Sequence, residues 1–526
     1  MRQIRFPLIF PIMVTALTLL GAACTAAAPQ SGISGSPGSS ELAAKQALKV
    51  RFYDDPSGFD PASLFRIETE NIAFNLYSGL TSYDSVTSKI IPDLAESWET
   101  KDQQTWTFRL HKGVQWHKGY GELTAADVVY SYNRIMDPAT GSPYRAEFNN
   151  VDSLEAPDPY TVGIKLKRPD GNFLHQVANY HQGQVVKKEA IEKFGDQYKW
   201  NPVGSGPFYL ESFTTGSEIV LARHDGYFRG PATLEKIVFN IIKDDETASI
   251  ALQNQEVDLA MRIGFPETLK RLENDQRFTM NTAEGGIGLT IFNPKFTPFT
   301  DVKVRRAWAH AIDRDAIIKA TTPLTTKRWY SMLNKWMDGY TDDIPRYEYS
   351  PEKAKQLLAE AGYPNGFTVK QLSSSASGVS EAAQLEQSYL AKVGIKMEFE
   401  LVDTPTFNKR RNSGDFEVGG RLLPAMNPDT VLFSYLHPDN MAPKGLNGAM
   451  YNNPELTSKL ESARGELDPA RRKQLYADVQ RIALTDLPYM PNSVSAVYWP
   501  GYKWVTGVDI NPLSQVNFYG VKIMAH

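Results

Sequence analysis

Nucleophile, metal and phosphate chemistry each need a recognisable residue spacing, and this chain offers few. Ser350 and Lys353 stand three apart, as a serine activated by a lysine would. Pro351 between them makes the pair read better as a helix start, with Ser350 in the cap position. The closest histidines, His111/His117 and His175/His181, are six apart, whereas two ligands on one helix face sit three or four apart. Asp244, Asp245 and Glu246 lack the further oxygen donors of a calcium loop and read as a helix N-terminus favoured by the dipole. The sequence has no G-x-x-x-x-G-K-[ST] or G-x-G-x-x-G loop, no H-E-x-x-H and no G-x-S-x-G elbow. A single cysteine, Cys24, excludes an intrachain disulfide and any cysteine-ligated zinc or iron–sulfur centre. No catalytic residue, metal site or cofactor is expected. What the chain does carry is 25 Tyr, 25 Phe and 9 Trp, enough to line a pocket with apolar faces and polar handles after a core is filled.

The elements that would position such a pocket are alternating strands and helices. The 526 residues exceed one domain's worth at roughly 150 residues each. With 42% hydrophobic and 22% charged residues the chain is a folded one, and a formal net charge of −4 gives no basic field for nucleic acid. Residues 48–53 read as a strand, and 105–113 alternate Trp106, Phe108 and Leu110 towards a buried face. A helix begins at Thr124, with Asp127 placed for a capping box, and ends at Asp137-Pro138. Others are expected at 303–320, from Ser350 to a C′ glycine at Gly362, and at 455–464 and 470–483 around Leu467-Asp468-Pro469. The fold class is α/β.

The N-terminus reads as an address. Arg2 and Arg5 precede an apolar stretch over 6–23, a signal-peptide layout for residues 1–23; an uncleaved membrane anchor is the alternative, disfavoured by Pro7 and Pro11. Cys24 follows Leu20-Gly21-Ala22-Ala23, which resembles a bacterial lipobox with its large aliphatic residue one place early. Ala26-Ala27-Ala28 offers a rival A-x-A cleavage site. Residues 24–40, rich in Gly, Ser, Pro and Ala, read as a flexible tether, and the remainder as extracytoplasmic: in the periplasm or on the outer face of the cytoplasmic membrane, lipid-anchored at Cys24.

Residues 90–138, IIPDLAESWETKDQQTWTFRLHKGVQWHKGYGELTAADVVYSYNRIMDP, resemble the solute-binding proteins of bacterial ABC importers, in the oligopeptide, dipeptide and nickel branch. FDP at 59–61, PVGSGPFYL at 202–210, FTPFTDVKVRRAWAHAIDRDAI at 296–317 and the segments at 230–260, 349–367 and 453–491 continue the resemblance in order to the C-terminus. It implies a two-lobed periplasmic-binding-protein fold of type II (a Venus flytrap) with an additional α/β domain. Lobe I would comprise residues 41–77, 200–287 and 496–526, the extra domain 78–199, and lobe II 288–495. It implies a monomer that captures a peptide or peptide-like solute by cleft closure and hands it to a membrane permease and its ATPase subunits, without chemistry of its own.

Peptide-binding members carry W-x-x-D-x-x-x-P, whose aspartate pairs with the ligand's amino group. Anchoring that pattern on Pro428 sets Arg421 at the tryptophan and Pro424 at the aspartate. The amine anchor is missing, and Arg421 offers a planar fork for a carboxylate or phosphate. Asp429, through a shifted alignment, is the alternative acid. The resemblance implies further ligand contacts at Tyr180 and His181, at Tyr53 and Asp54 after the first strand, at Asn293 by the hinge, and at Met426 and Trp499 as an apolar wall. The departure from the pattern keeps an acidic opine-like or oligosaccharide ligand open beside a peptide. A secreted hydrolase is the distant reading.

Overall fold

The computed structural model describes residues 41–526 apart from 65, 66, 85, 86, 88, 376, 377, 424–426 and 512. The leader, the tether, Cys24, Pro424 and Met426 therefore lie outside the described residues. Along the chain, β1 (Ala47–Phe52) leads into helix α1 (Ile67–Leu76). A separate antiparallel sheet follows, built from β2 (Ala95–Thr100), β3 (Thr105–Leu110), β4 (Val151–Asp158) and β5 (Thr161–Leu166) in the order β2-β3-β5-β4, with α2 (Ala125–Met136) inserted. Next come β6 (Phe208–Thr214), β7 (Glu218–Arg223), β8 (Lys236–Ile241), β9 (Leu259–Ala260) and the long β10 (Phe278–Phe292). Helices α3 (Val302–Ala311), α4 (Arg314–Thr321) and α5 (Pro351–Glu360) precede β11 (Phe367–Ser374) and β12 (Ile395–Val402). The chain finishes with α6 (Thr404–Ser413), β13 (Val418–Leu423), α7 (Pro428–Leu436), α8 (Pro454–Gly465), α9 (Pro469–Asp486) and the long β14 (Tyr489–Tyr502).

One mixed sheet runs through the molecule in the order β12-β11-β13-β10-β14-β9-β1-β8-β7-β6. Its two long central strands, β10 and β14, pair antiparallel from Phe278↔Tyr502 to Ile291↔Tyr489. At one end β14 meets β9 at Leu259↔Gly501; at the other, β10 takes β13 from Ile287↔Leu423 to Phe292↔Val418. The pairing shifts register between Glu284 and Ile287. A register shift there bends and twists the ribbon where it passes from one half of the sheet to the other. Packing respects the same division. One core cluster joins Phe52, Phe239 and Trp499 to Trp106, Phe108 and Tyr132 of the smaller sheet and α2. Two others lie beyond the crossing, one around Leu289, Tyr435 and Tyr489 and one around Trp308, Leu358 and Met397.

Local signals account for most element ends. Trp106, Phe108 and Leu110 are buried while Thr105 and Arg109 are exposed, the half-buried pattern of an antiparallel strand. Asp127 Oδ2 accepts the Thr124 N–H at 2.9 Å, the return half of a capping box. Gly362 takes φ +88 after α5, a left-handed position that any Cβ would strain. Ser350 departs from expectation: it precedes Pro351, but its hydroxyl makes no cap bond, and its own N–H is committed to His310 O at 2.8 Å. The helix expected at 303–320 is two helices. Ile312 is extended (φ −109, ψ 121), and Asp313 caps α4 by accepting the Ala316 N–H at 2.9 Å, so the side-chain cap outcompetes continuation through the break. No helix among the described residues is long and apolar enough to cross a membrane.

Candidate functional site

The first turn of α1 organises the site's first-lobe side. Glu68 and Glu70 sit in a helix buried on nearly every face, because the C-terminal segment packs along it: Asn71 Nδ2 donates to Ser514 O and Asn75 Nδ2 to Val516 O, at 2.8 and 2.9 Å. Tyr53, at the end of β1, donates its hydroxyl to Glu68 Oε2 at 2.8 Å and accepts from Arg262 Nη1 at 3.1 Å. Burial, against the pull of Arg262, pushes that phenol up to about 12. Asp54 beside it turns outward to Lys243, 3.4 Å away.

Tyr180 and His181 lie across from α1 on a loop, their rings stacked at 3.9 Å, with Tyr144 4.5 Å from the imidazole. His181 Nε2 stands 3.5 Å from Glu70 Oε2. That distance suits an ion pair, but the environment does not. Glu70 is fully buried, and desolvation raises its carboxyl well above the ordinary value, while burial lowers His181 to about 3. Burial thus disfavours the charged form of both groups. Gln184 Nε2 completes the group, donating to Glu70 Oε1 at 2.8 Å. Tyr53 and His181 thus each meet a carboxyl of the same helix, Glu68 and Glu70. The two carboxylates, Arg262 and Gln184 were missed from sequence, although Glu-Thr-Glu-Asn in the first turns of a helix was the available signal.

The second-lobe side is held by β10, β13, α6 and α7. Arg421 lies opposite Leu289 in the β10–β13 register, half-buried, its guanidinium 5.4 Å from the centre of the Tyr435 ring. Asn293, just past β10, is fully buried: Nδ2 donates to Gly414 O at 3.0 Å and to Phe416 O at 2.6 Å, and Oδ1 accepts the Lys295 N–H. Both amide hydrogens thus hold the approach to β13. Trp499 is fully buried on β14 within the core that contains β1, and its indole N–H has no partner among the described residues. Asp429 is engaged: Arg464 Nε donates to both its oxygens at 3.1 and 3.0 Å, and the Tyr476 hydroxyl to Oδ1 at 3.3 Å.

Beside that pair the smaller sheet touches the far half of the molecule directly. Gln103 Nε2 donates to Glu466 O at 3.1 Å, the Gly171 N–H to Arg464 O at 2.9 Å, and Asn172 Nδ2 to the Tyr476 hydroxyl at 2.8 Å. These contacts bridge segments otherwise connected through the crossing strands.

Two α/β halves joined by a bent pair of strands, with polar side chains gathered on elements from both, define a two-lobed solute-binding protein. The bacterial extracellular solute-binding protein family 5 model matches residues 89–443, and the chain belongs to that family. It is 29% identical to heme-binding protein A of Haemophilus influenzae, over 96% of this chain and 98% of that one. It is 30% identical to the dipeptide-binding protein of Escherichia coli K12, over 89% and 93%. Among solved structures, MoaA of A. tumefaciens R10 in complex with mannopinic acid superposes with a TM-score of 0.76 at 27% identity, covering 92% of this chain and all of that one.

Proposed function

We propose that this protein is the extracytoplasmic solute-binding component of an ABC importer, capturing a peptide or peptide-like small molecule and presenting it to a membrane permease served by its own ATPase subunits. The observation that carries this is the bent β10–β14 ribbon joining two halves with separate cores, in a chain of the family 5 type. Residues 41–77, 200–287 and 496–526 form lobe I, 78–199 the extra domain and 288–495 lobe II. Closure brings Tyr53, Tyr180 and His181 towards Arg421 around the solute. Asp54, Asn293 and Trp499 support that pocket from behind its lining, and Met426, outside the described residues, is a further proposed contact. Residues 1–23 direct export, Cys24 carries the lipid anchor, and 24–40 tether the monomer at the membrane. The dipeptide-binding relative supports a peptide-like solute. Arg421 and Pro424 in place of the amine-binding pattern, together with the mannopinic acid complex of a structural neighbour, favour a second reading in which the ligand is acidic and opine-like.

Native mass spectrometry of the protein purified without denaturation, followed by release and fragmentation of what it retains, decides between them. A ladder of peptide masses is expected on the first reading and a single acidic non-peptide mass on the second.

A further inference from the structure

Where the smaller sheet meets α8 and α9, each side is braced by its own bonds. Gln103, just ahead of β3, takes φ +52, a strained left-handed position for a residue with a side chain. Its carbonyl is pinned there, accepting the Asp170 N–H at 2.9 Å and the Trp106 indole N–H at 3.1 Å. Asp170 Oδ1 in turn accepts the Asn172 N–H at 2.9 Å, so Gln103 and residues 170–172 form one tip. Facing it, Arg472 Nη1 donates to Glu466 O at 2.9 Å and braces the loop between α8 and α9. Three hydrogen bonds cross from tip to loop: Gln103 Nε2 to Glu466 O, the Gly171 N–H to Arg464 O and Asn172 Nδ2 to the Tyr476 hydroxyl. Gly171 is the point of closest approach, since a Cβ there would stand 2.7 Å from Gln103 Oε1 and 2.9 Å from Arg472 Nη1. The apolar cores behind the two sides are separate: Trp106 and Phe173 pack in the first-lobe cluster, Leu460, Ala463 and Tyr476 in one of the second lobe. The crossing bonds end on two carbonyls and a phenol hydroxyl, groups that water satisfies equally well, so the contact parts without opening either core.

We propose that the extra domain is a clasp for lobe II: the tip of Gln103, Gly171 and Asn172 engages the α8–α9 loop on closure and holds the closed state in addition to whatever the solute contributes. This rests on the closure reading above. The Tyr476 hydroxyl, which accepts from Asn172, donates to Asp429 Oδ1 at 3.3 Å, so the grip reaches the first turn of α7. Because the clasp forms only once the lobes have met, it lengthens the time a solute stays bound and leaves the rate of capture to the open cleft.

The test combines amide hydrogen exchange, resolved residue by residue, with a pulsed spin-label distance between β4 and α9, on the wild type, the double variant Q103A/N172A and G171V. In the double variant the Gly171 amide, whose bond crosses the contact, is expected to exchange at least about tenfold faster, the effect of losing two supporting hydrogen bonds. The neighbouring Asn172 amide position, bonded within the tip to Asp170, should keep its protection and so report that the tip stays folded. Both variants should move population from the short distance to a longer one, G171V by wedging a side chain into the close approach; if G171V does not fold, the double variant decides. Unchanged exchange at Gly171 overturns the contact. Faster exchange at Gly171 with an unchanged distance overturns the clasp, because the bonds then form without holding the lobes. If the distance also stays fixed when the wild type is stripped of its solute, the lobes do not move, and the closure reading falls together with the clasp.

Discussion

Replacing Arg464 by alanine is expected to destabilise the protein by about 2–3 kcal/mol, because it strands a buried carboxylate. Asp429 is 4% exposed, and burial already pushes its carboxyl up to about 6 in spite of the guanidinium. Arg464 itself is held above its ordinary value: burial opposes its charge, but Asp429 and Asp170 together outweigh that effect. Desolvation therefore dominates at the carboxylate and attraction at the less buried partner. Without Arg464, Asp429 faces Asp170 with Tyr476 the one side-chain donor to it among the described residues. Urea unfolding of R464A, D429N and the double variant checks this. The double variant should recover more than half of the R464A loss, since neutralising the carboxylate removes its desolvation penalty. A loss under 0.5 kcal/mol, with no recovery, would show that the pair is only a solvated contact, on the scale measured for exposed pairs.

Acidification is expected to remove on the order of 3 kcal/mol of stability through His117 alone by pH 4. The ring is 1% exposed; its Nδ1 accepts the Gly204 N–H at 3.2 Å, so Nε2 carries the proton donated to Gly206 O at 3.0 Å. Burial, reinforced by His224 at 4.8 Å and by Lys118, depresses it from 6.5 to about 3. The unfolded chain therefore binds a proton below pH 6.5 that the folded chain refuses. The contribution is complete above pH 6.5 and is lost as pH falls towards 3. Buried Asp93 and Asp429, both raised to about 6, act in the opposite sense, gaining protons in the folded state as pH falls through 6. The wild type alone thus shows a mixture, and the difference from H117N isolates the histidine. The two stability curves, from urea midpoints between pH 7 and 4, should converge as pH falls. Parallel curves would mean the imidazole is protonated in place.

Elements whose signals are local were legible in the sequence. The alternation at Trp106, Phe108 and Leu110 and the ends of α8 and α9 at Asp468-Pro469 depend on neighbours a few residues away. The break between α3 and α4 was not read, because apolar spacing continues across Ile312 while the backbone is redirected by one aspartate cap. The site was legible only in part. The family resemblance nominates Tyr53 and His181, but their partners in the fold are Glu68 and Glu70. Those carboxyls are buried by contacts more than four hundred residues distant, such as Asn71 to Ser514.

A captured solute is expected to hold the two lobes together. Since Cys24 is the chain's one cysteine, C24S with cysteines placed at exposed Glu155 on β4 and Lys473 on α9 gives a clean pair of spin labels spanning the bridge. Pulsed electron paramagnetic resonance should show one short distance in the protein as purified. After unfolding, removal of the retained solute and refolding, a longer population should dominate, and returning the solute should restore the short one. An unchanged distance distribution through the whole cycle would contradict capture by closure.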